Sequence, residues 1–301
     1  MTELPSRVDI REVSLRDGLQ IEKPIPLSAK LELLAAVAAT GVREIEATAF
    51  VSPTKVPSMA DAAELAAQLH NYPDIEFSAL VASPNGAKRA VAAGLRSIEY
   101  VVSTSDAFST ANVGRSSKEA TDQIDEIVAI AHGGEVTVEV IVATAWDCPF
   151  EGPTPPQRVL DIAATARDRG VDRFSIADTI GTTTPGRVSS LIAQLRPVIG
   201  ELSLGGHFHN TRGAGLASAY AAVSSGVTRL DASVGGLGGC PFAPGATGNI
   251  ATEDLVYMLR DSDIGVDVDL QAAITAAQVA KSVVGHDLPG ALLRAGDRIR
   301  A

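Results

Sequence analysis

Eight times along this 301-residue chain, a short run rich in Val, Ile and Phe gives way to an Ala-rich amphipathic segment. The pairs are 7–14 with 28–40, 42–50 with 58–69, 75–82 with 85–93, and 96–103 with 116–132. They continue as 136–145 with 155–169, 172–178 with 185–196, 202–209 with 213–225, and 228–234 with a final helix over 250–260. Strands that alternate with helices predict a parallel sheet with right-handed crossovers. Eight units within residues 8–260 match a closed (β/α)8 TIM barrel, leaving 264–301 as a C-terminal helical extension. A doubly wound open sheet is the rival fold. It would carry its ligand fingerprint once, near a switch point, whereas the unusual residues here recur at the C-terminal ends of several strands. No linker or low-complexity stretch divides the chain, so one domain over 1–301 is expected.

The residues at those strand ends carry the chemistry. In "HFH" at 207–209, residues two apart on a strand share a face, so His207 and His209 both aim into the barrel mouth and suit a divalent metal. "LRDGLQ" at 15–20 adds the carboxylate of Asp17 where the first strand ends, with the fixed cation of Arg16 beside it; an ordinary Asp-Gly turn is the plainer reading. "ATGN" ends on Asn249, whose amide oxygen completes a mixed O/N set. Asp17, His207, His209 and Asn249 together favour Mg²⁺ or Mn²⁺ over structural zinc, which recruits thiolates. Asp178, in "SIADTIGTTTPG", and Glu46, in "EIEATAF", are candidates for orienting a metal-bound water or a substrate hydroxyl. An N-cap or a barrel-layer charge paired with Arg is the alternative reading of each.

One stretch, "GGLGGCPFAPGATGN" at 235–249, holds six glycines, two prolines and Cys240 in fifteen residues. That composition suits an irregular loop presenting a thiol. Two nucleotide signatures fail. "GTTTPGRV" at 181–188 has P-loop glycine spacing but places Arg187 and Val188 where Lys and Ser or Thr belong, and the glycines at 235–239 miss the G-x-G-x-x-G offsets.

Composition narrows the partners. A net charge of −11 with no run of Lys and Arg argues against nucleic acid or an anionic membrane surface. No apolar stretch approaches the ~20 residues of a membrane span, and the N-terminus lacks the pattern of a signal peptide. Two cysteines, Cys148 and Cys240, make no disulfide framework. A cytoplasmic enzyme is expected.

Together, "RDGLQIEKP", "EATAFVSPTKVPSMAD", "CPFEG", "ADTIGTTTPG", "HFHNTRG" and "GLGGCPFAPGATGNIATEDLVYML" closely resemble the 3-hydroxy-3-methylglutaryl-CoA lyases, members of the barrel metallolyase family that includes isopropylmalate synthase. The resemblance runs from about residue 8 to residue 260. It implies cleavage of a 3-hydroxy-3-methylacyl-CoA to acetyl-CoA and a ketoacid, with a divalent cation on Asp17, His207, His209 and Asn249. It further implies that Cys240 rides a loop closing over the substrate and takes part in proton transfer, that Arg16 stabilises the enolate, and that Lys23 holds the acyl-CoA. A homo-oligomer, dimer or tetramer, is expected. The chain departs from the family in "HNTRG", where many lyases have "HDTYG", which places Asn210 and Arg212 beside the site and leaves room for a related substrate such as citramalyl-CoA. A barrel without catalytic activity is the reading from a different class.

Overall fold

The computed structural model describes residues 4–239 and 248–298. Eight parallel strands close into a barrel: β1 Asp9–Glu12, β2 Glu44–Phe50, β3 Glu76–Val81, β4 Ser97–Ser103, β5 Thr137–Ala143, β6 Arg173–Asp178, β7 Ser203–Phe208 and β8 Arg229–Ala232. Each strand pairs with its sequence neighbours, and β8 returns to β1 in register from Asp9 opposite Arg229 to Glu12 opposite Ala232. Helices cover the outside, as the alternation predicts. In the first, Leu27–Ala38, the positions buried against the barrel are Lys30, Leu33, Leu34 and Val37, a helical stripe.

The interior alternates with strand parity and is unusually polar. Glu99 on β4 stands opposite Glu139 on β5, and both reach Arg11 of β1 at 2.7 and 2.6 Å. Two residues further along the same strands, the same face presents Val101 and Ile141 to a cleft at the C-terminal mouth. Charge therefore fills the middle of the barrel and an apolar wall lies above it.

Two predicted helices are broken. The segment 58–69 folds as a 3₁₀ turn Pro57–Met59, a helix Ala62–Ala66 and a second turn Leu69–Asn71. Tertiary contacts lie at the break, where Asp61 leaves the helical region: buried Lys30 donates to the Ser58 carbonyl and pairs with Asp61, and the Ser58 hydroxyl donates to the Gln20 carbonyl at 2.9 Å. The segment 116–132 divides into Ser117–Asp122 and Ile124–Gly133, and it is preceded by a helix, Asp106–Val113, that the period does not show. Ser105 caps that helix and Gly114 ends it at φ +76°.

The C-terminal extension contains two helices, Leu270–Val284 and Ala291–Ala295. It does more than lie on the outside. Between the helices, Leu288 presses on Gly235 so closely that a Cβ there would stand 2.5 Å from Leu288 Cδ1, and the Gly290 N–H donates to the Gly235 carbonyl at 2.8 Å. No helix among the described residues is long and apolar enough to cross a membrane.

Candidate active site

After β1 the chain makes a single π-helical turn, Ser14–Gly18, in which Gly18 N–H reaches back five residues to the Val13 carbonyl at 3.0 Å. Such turns are rare and cluster at functional sites. This one replaces the Asp-Gly turn of the plainer sequence reading and aims Arg16 and Asp17 together into the mouth. Arg16 donates to Asp17 Oδ1 at 2.7 Å, and its Nε lies 2.6 Å from Glu46 Oε1 on β2. Burial alone would raise the Asp17 carboxyl. Arg16, then His209 and His207, outweigh it and hold Asp17 well below the usual carboxylate range.

Opposite, β7 delivers the histidines on one face, with ring centroids 4.9 Å apart. His207 Nδ1 lies 3.0 Å from Asp231 Oδ2. A carboxylate only accepts, so Nδ1 carries a proton toward Asp231, which leaves Nε2 as the nitrogen that faces a metal, the arrangement of a metal-binding imidazole with an orienting partner. His209 follows β7 and pairs by an isolated bridge with Asn249, whose Nδ2 donates to Asp17 Oδ2 at 2.8 Å and to the Leu237 carbonyl at 3.1 Å. His209 Nε2 stands 3.7 Å from Asp17 Oδ2, beyond hydrogen-bonding distance.

One ligand atom from each of Asp17, His207 and His209 lies within 4.8 Å of the others, a group able to hold a metal ion. The fit is supported by what these residues lack: both nitrogens of His209 and Oδ1 of Asn249 are buried with no hydrogen-bond partner among the described residues. Buried polar atoms are ordinarily paired. Gly238, at φ +133°, keeps room for the Asn249 amide, since a Cβ on it would stand 2.6 Å from Asn249 Nδ2.

The donors open into a cleft of about 540 Å³. Its wall is apolar, with Phe50, Val81, Val101 and Ile141, and it also carries Lys55, Arg89 and Arg115. Neutral oxygens brace the two arginines: Arg115 donates to the Ala82 carbonyl at 2.9 Å and to Gln123 Oε1 at 2.6 Å, while Arg89 donates to the Val51 carbonyl at 3.3 Å and covers the Phe50 ring. Sequence reasoning missed these three cations. The Ser105 cap and Gly114 stop around 106–113 were the available signal for the helix that leads to Arg115.

The remaining predicted residues are distributed unevenly. Glu46 is a barrel-layer charge paired with Arg16; burial first, and Glu99 beside it, push its carboxyl well up despite Arg16. Asp178 accepts the N–H groups of Thr182 at 3.0 Å and Thr183 at 3.1 Å, shaping the turn after β6, and burial raises its carboxyl. Lys23 is exposed and does not line the cleft. Arg212 donates to the carbonyls of Ile180 at 2.7 Å and Gly181 at 3.3 Å, and Asn210 Oδ1 accepts the Gly215 N–H, so these departures from the family pattern serve local turns. Cys240 lies outside the described residues.

The sequence over residues 7–280, which contains every donor above, matches the family described as HMGL-like. The chain belongs to it. Among relatives of this HMGL-like chain, the mitochondrial hydroxymethylglutaryl-CoA lyase of Rattus norvegicus is 39% identical over 277 residues, covering 92% of this chain and 85% of that one. A Pseudomonas aeruginosa protein named 3-hydroxy-3-isohexenylglutaryl-CoA/hydroxy-methylglutaryl-CoA lyase is 36% identical, covering 94% of each. The solved structure of an HMG-CoA lyase from Acinetobacter baumannii, in complex with coenzyme A and 3-methylmalate, superposes with a TM-score of 0.94 at 36% identity, covering 100% of this chain and 99% of that one.

Proposed function

We propose that this chain is a carbon–carbon lyase that cleaves 3-hydroxy-3-methylglutaryl-CoA to acetoacetate and acetyl-CoA. The observation that carries the reading is the convergence of Asp17, His207, His209 and Asn249, with unpartnered buried atoms, at the mouth of a barrel whose relatives are hydroxymethylglutaryl-CoA lyases.

In this cleavage the tertiary hydroxyl gives its proton to water in the cleft, the C2–C3 bond breaks, and its electron pair passes to the thioester as an enolate that is then protonated at C2 by a thiol, whose thiolate recovers a proton from that water. Asp17, His207, His209 and Asn249 would hold a divalent cation, Mg²⁺ or Mn²⁺, which supplies Lewis acidity toward the hydroxyl and so lowers its pKa. Asp17 is too weak a base in its setting to take that proton, and its part is to hold negative charge at the site. Arg16, fixed between Asp17 and Glu46, offers a buried guanidinium where the enolate oxygen develops. Cys240 is assigned the protonation of C2: a thiol with pKa near ~8.5 is an acid of useful strength close to neutrality. The apolar wall suits the pantetheine arm, and Lys55, Arg89 and Arg115 offer positive charge to the CoA phosphates. Lys23, at the outer surface, offers a further positive charge to CoA. The same reading places a homo-oligomeric enzyme in the cytoplasm.

The test is quantification of acetyl-CoA released from 3-hydroxy-3-methylglutaryl-CoA and, in parallel, from citramalyl-CoA, with Mn²⁺ and with a chelator. Release from the first substrate that the chelator abolishes is expected. Release from citramalyl-CoA alone would reassign the substrate, and release from neither would sink the lyase reading.

A further inference from the structure

Asp17 and Asn249 meet at 2.8 Å although 232 residues separate them, and neither lies within a barrel strand. Asp17 sits on the π-helical turn after β1, and Asn249 comes after the glycine-rich stretch that follows β8. Something must set the two segments against each other to that accuracy.

Glu12, the last residue of β1, touches both. Its carboxylate is 1% exposed and accepts hydrogen bonds from three segments: the Ser14 N–H at 2.9 Å, the Val234 N–H at 3.2 Å and the Thr252 hydroxyl. Ser14 opens the turn that carries Asp17. Val234 lies three residues before Leu237, whose carbonyl holds Asn249 Nδ2. Thr252 lies three residues after Asn249, and its N–H holds the Ser233 carbonyl at 3.1 Å, which closes the base of the stretch 234–251. The cleavage chemistry above makes no use of Glu12. Its carboxylate lies at the junction of the segments that carry the two oxygen donors.

We infer that Glu12 is a positioning residue that fixes the separation of Asp17 and Asn249, and with it the ability of the site to receive a divalent cation. The role depends on reach and on acceptor oxygens, not on charge as such. It rests on the cation reading above.

The experiment is titration calorimetry of Mn²⁺ with the full chain, with thermal unfolding followed alongside. Glu12→Asp keeps the carboxylate but shortens it by one methylene, and Mn²⁺ affinity should fall about 10–100-fold, the usual effect of losing an orienting partner of a metal ligand. Glu12→Gln keeps the length and an oxygen for both N–H groups, and Thr252 can turn its hydroxyl to accept from the amide; affinity should stay within about threefold of the parent. Thr252→Val removes one of the three bonds and should fall between the two. Unchanged affinity in both Glu12→Asp and Thr252→Val overturns the assignment, as does a Glu12→Gln protein as weak as Glu12→Asp. Should Glu12→Asp fail to fold, Thr252→Val decides alone. A parent protein that binds Mn²⁺ separates failure of this role from failure of the cation site; one that does not bind it removes both.

Discussion

Arg11 and His209 project into the same barrel and are almost equally hidden, at 2% and 5% exposure, yet their surroundings are opposite. Each guanidinium nitrogen of Arg11 meets a carboxylate: Nε and Nη2 on Asp231, and Nη1 on Glu99 and Glu139. Neither ring nitrogen of His209 has a hydrogen-bond partner among the described residues. A buried polar group without a partner costs about 1–3 kcal/mol, so two such nitrogens on one ring at a barrel mouth point to a ligand. The network around Arg11 is thus closed and the one around His209 open, although Glu99 Oε2 and Arg229 Nε in the middle of the barrel are also without a hydrogen-bond partner among the described residues. His207 joins them, with Nδ1 on Asp231 and its other nitrogen toward the cleft.

The widest separation of the two regions is expected from His209→Ala. Losing a ligand forfeits several kcal/mol of transition-state stabilisation, and turnover should fall about 10³-fold or more, with the thermal midpoint nearly unchanged. A large loss of stability with turnover retained would place His209 in the network and break the comparison. Arg11→Met is the mirror experiment. It leaves Glu99, Glu139 and Asp231 buried without their cation, which should destabilise the fold by about 3–5 kcal/mol, seen in thermal or urea unfolding. Turnover per folded molecule should fall far less, through Asp231 and His207 alone.

Acidity sharpens the boundary further. Burial pushes Glu12 up to about 7, against hydrogen bonds from Thr252 and Ser14, and pushes Glu253 up to about 8, against one from Gly235. Both folded values exceed the unfolded one, so the folded state binds more protons between about pH 4.5 and pH 8, and the stability these groups contribute is lost as pH rises through that window. The thermal midpoint should decline from pH 5 to pH 8, and Glu253→Gln should flatten the decline; a parallel curve for the variant would remove Glu253 as its source. The smallest effect belongs to the rim. Lys55→Ala should raise KM for the CoA thioester about two- to fivefold with kcat kept, and added salt should narrow the gap between variant and parent. A change in kcat instead would move Lys55 from the rim to the reacting centre.

The open network was more legible in the sequence than the closed one. His207 and His209 announce a shared face through spacing alone, and Asp17 and Asn249 lie at the ends of predicted segments, where barrels keep their chemistry. Glu99 and Glu139 sit in "SIEYVVS" and "TVEVIVA", where one acid among β-branched residues does not say whether it faces its own core or water. Their partner lies 88 and 128 residues away. The break in 58–69 was hidden for the same reason, since Lys30 acts on it from another helix. Arg212 shows the same dependence: it stands near His209 in sequence, and its Nη1 donates to the carbonyls of Ile180 and Gly181, 32 and 31 residues away. Local pattern predicts where a side chain starts, and long-range partners decide where it ends.

The contact of Leu288 and Gly290 with Gly235 bears on how this enzyme can be cut and joined. All eight strands and their crossovers are complete by residue 261, so a protease nick between 285 and 290 would leave the scaffold whole while releasing its grip on the root of the cysteine-bearing stretch. Inactivation by limited digestion should therefore run ahead of unfolding. Fusions and affinity tags are better carried at the N-terminus, because a bulky neighbour at the other end pulls on the segment that packs against Gly235.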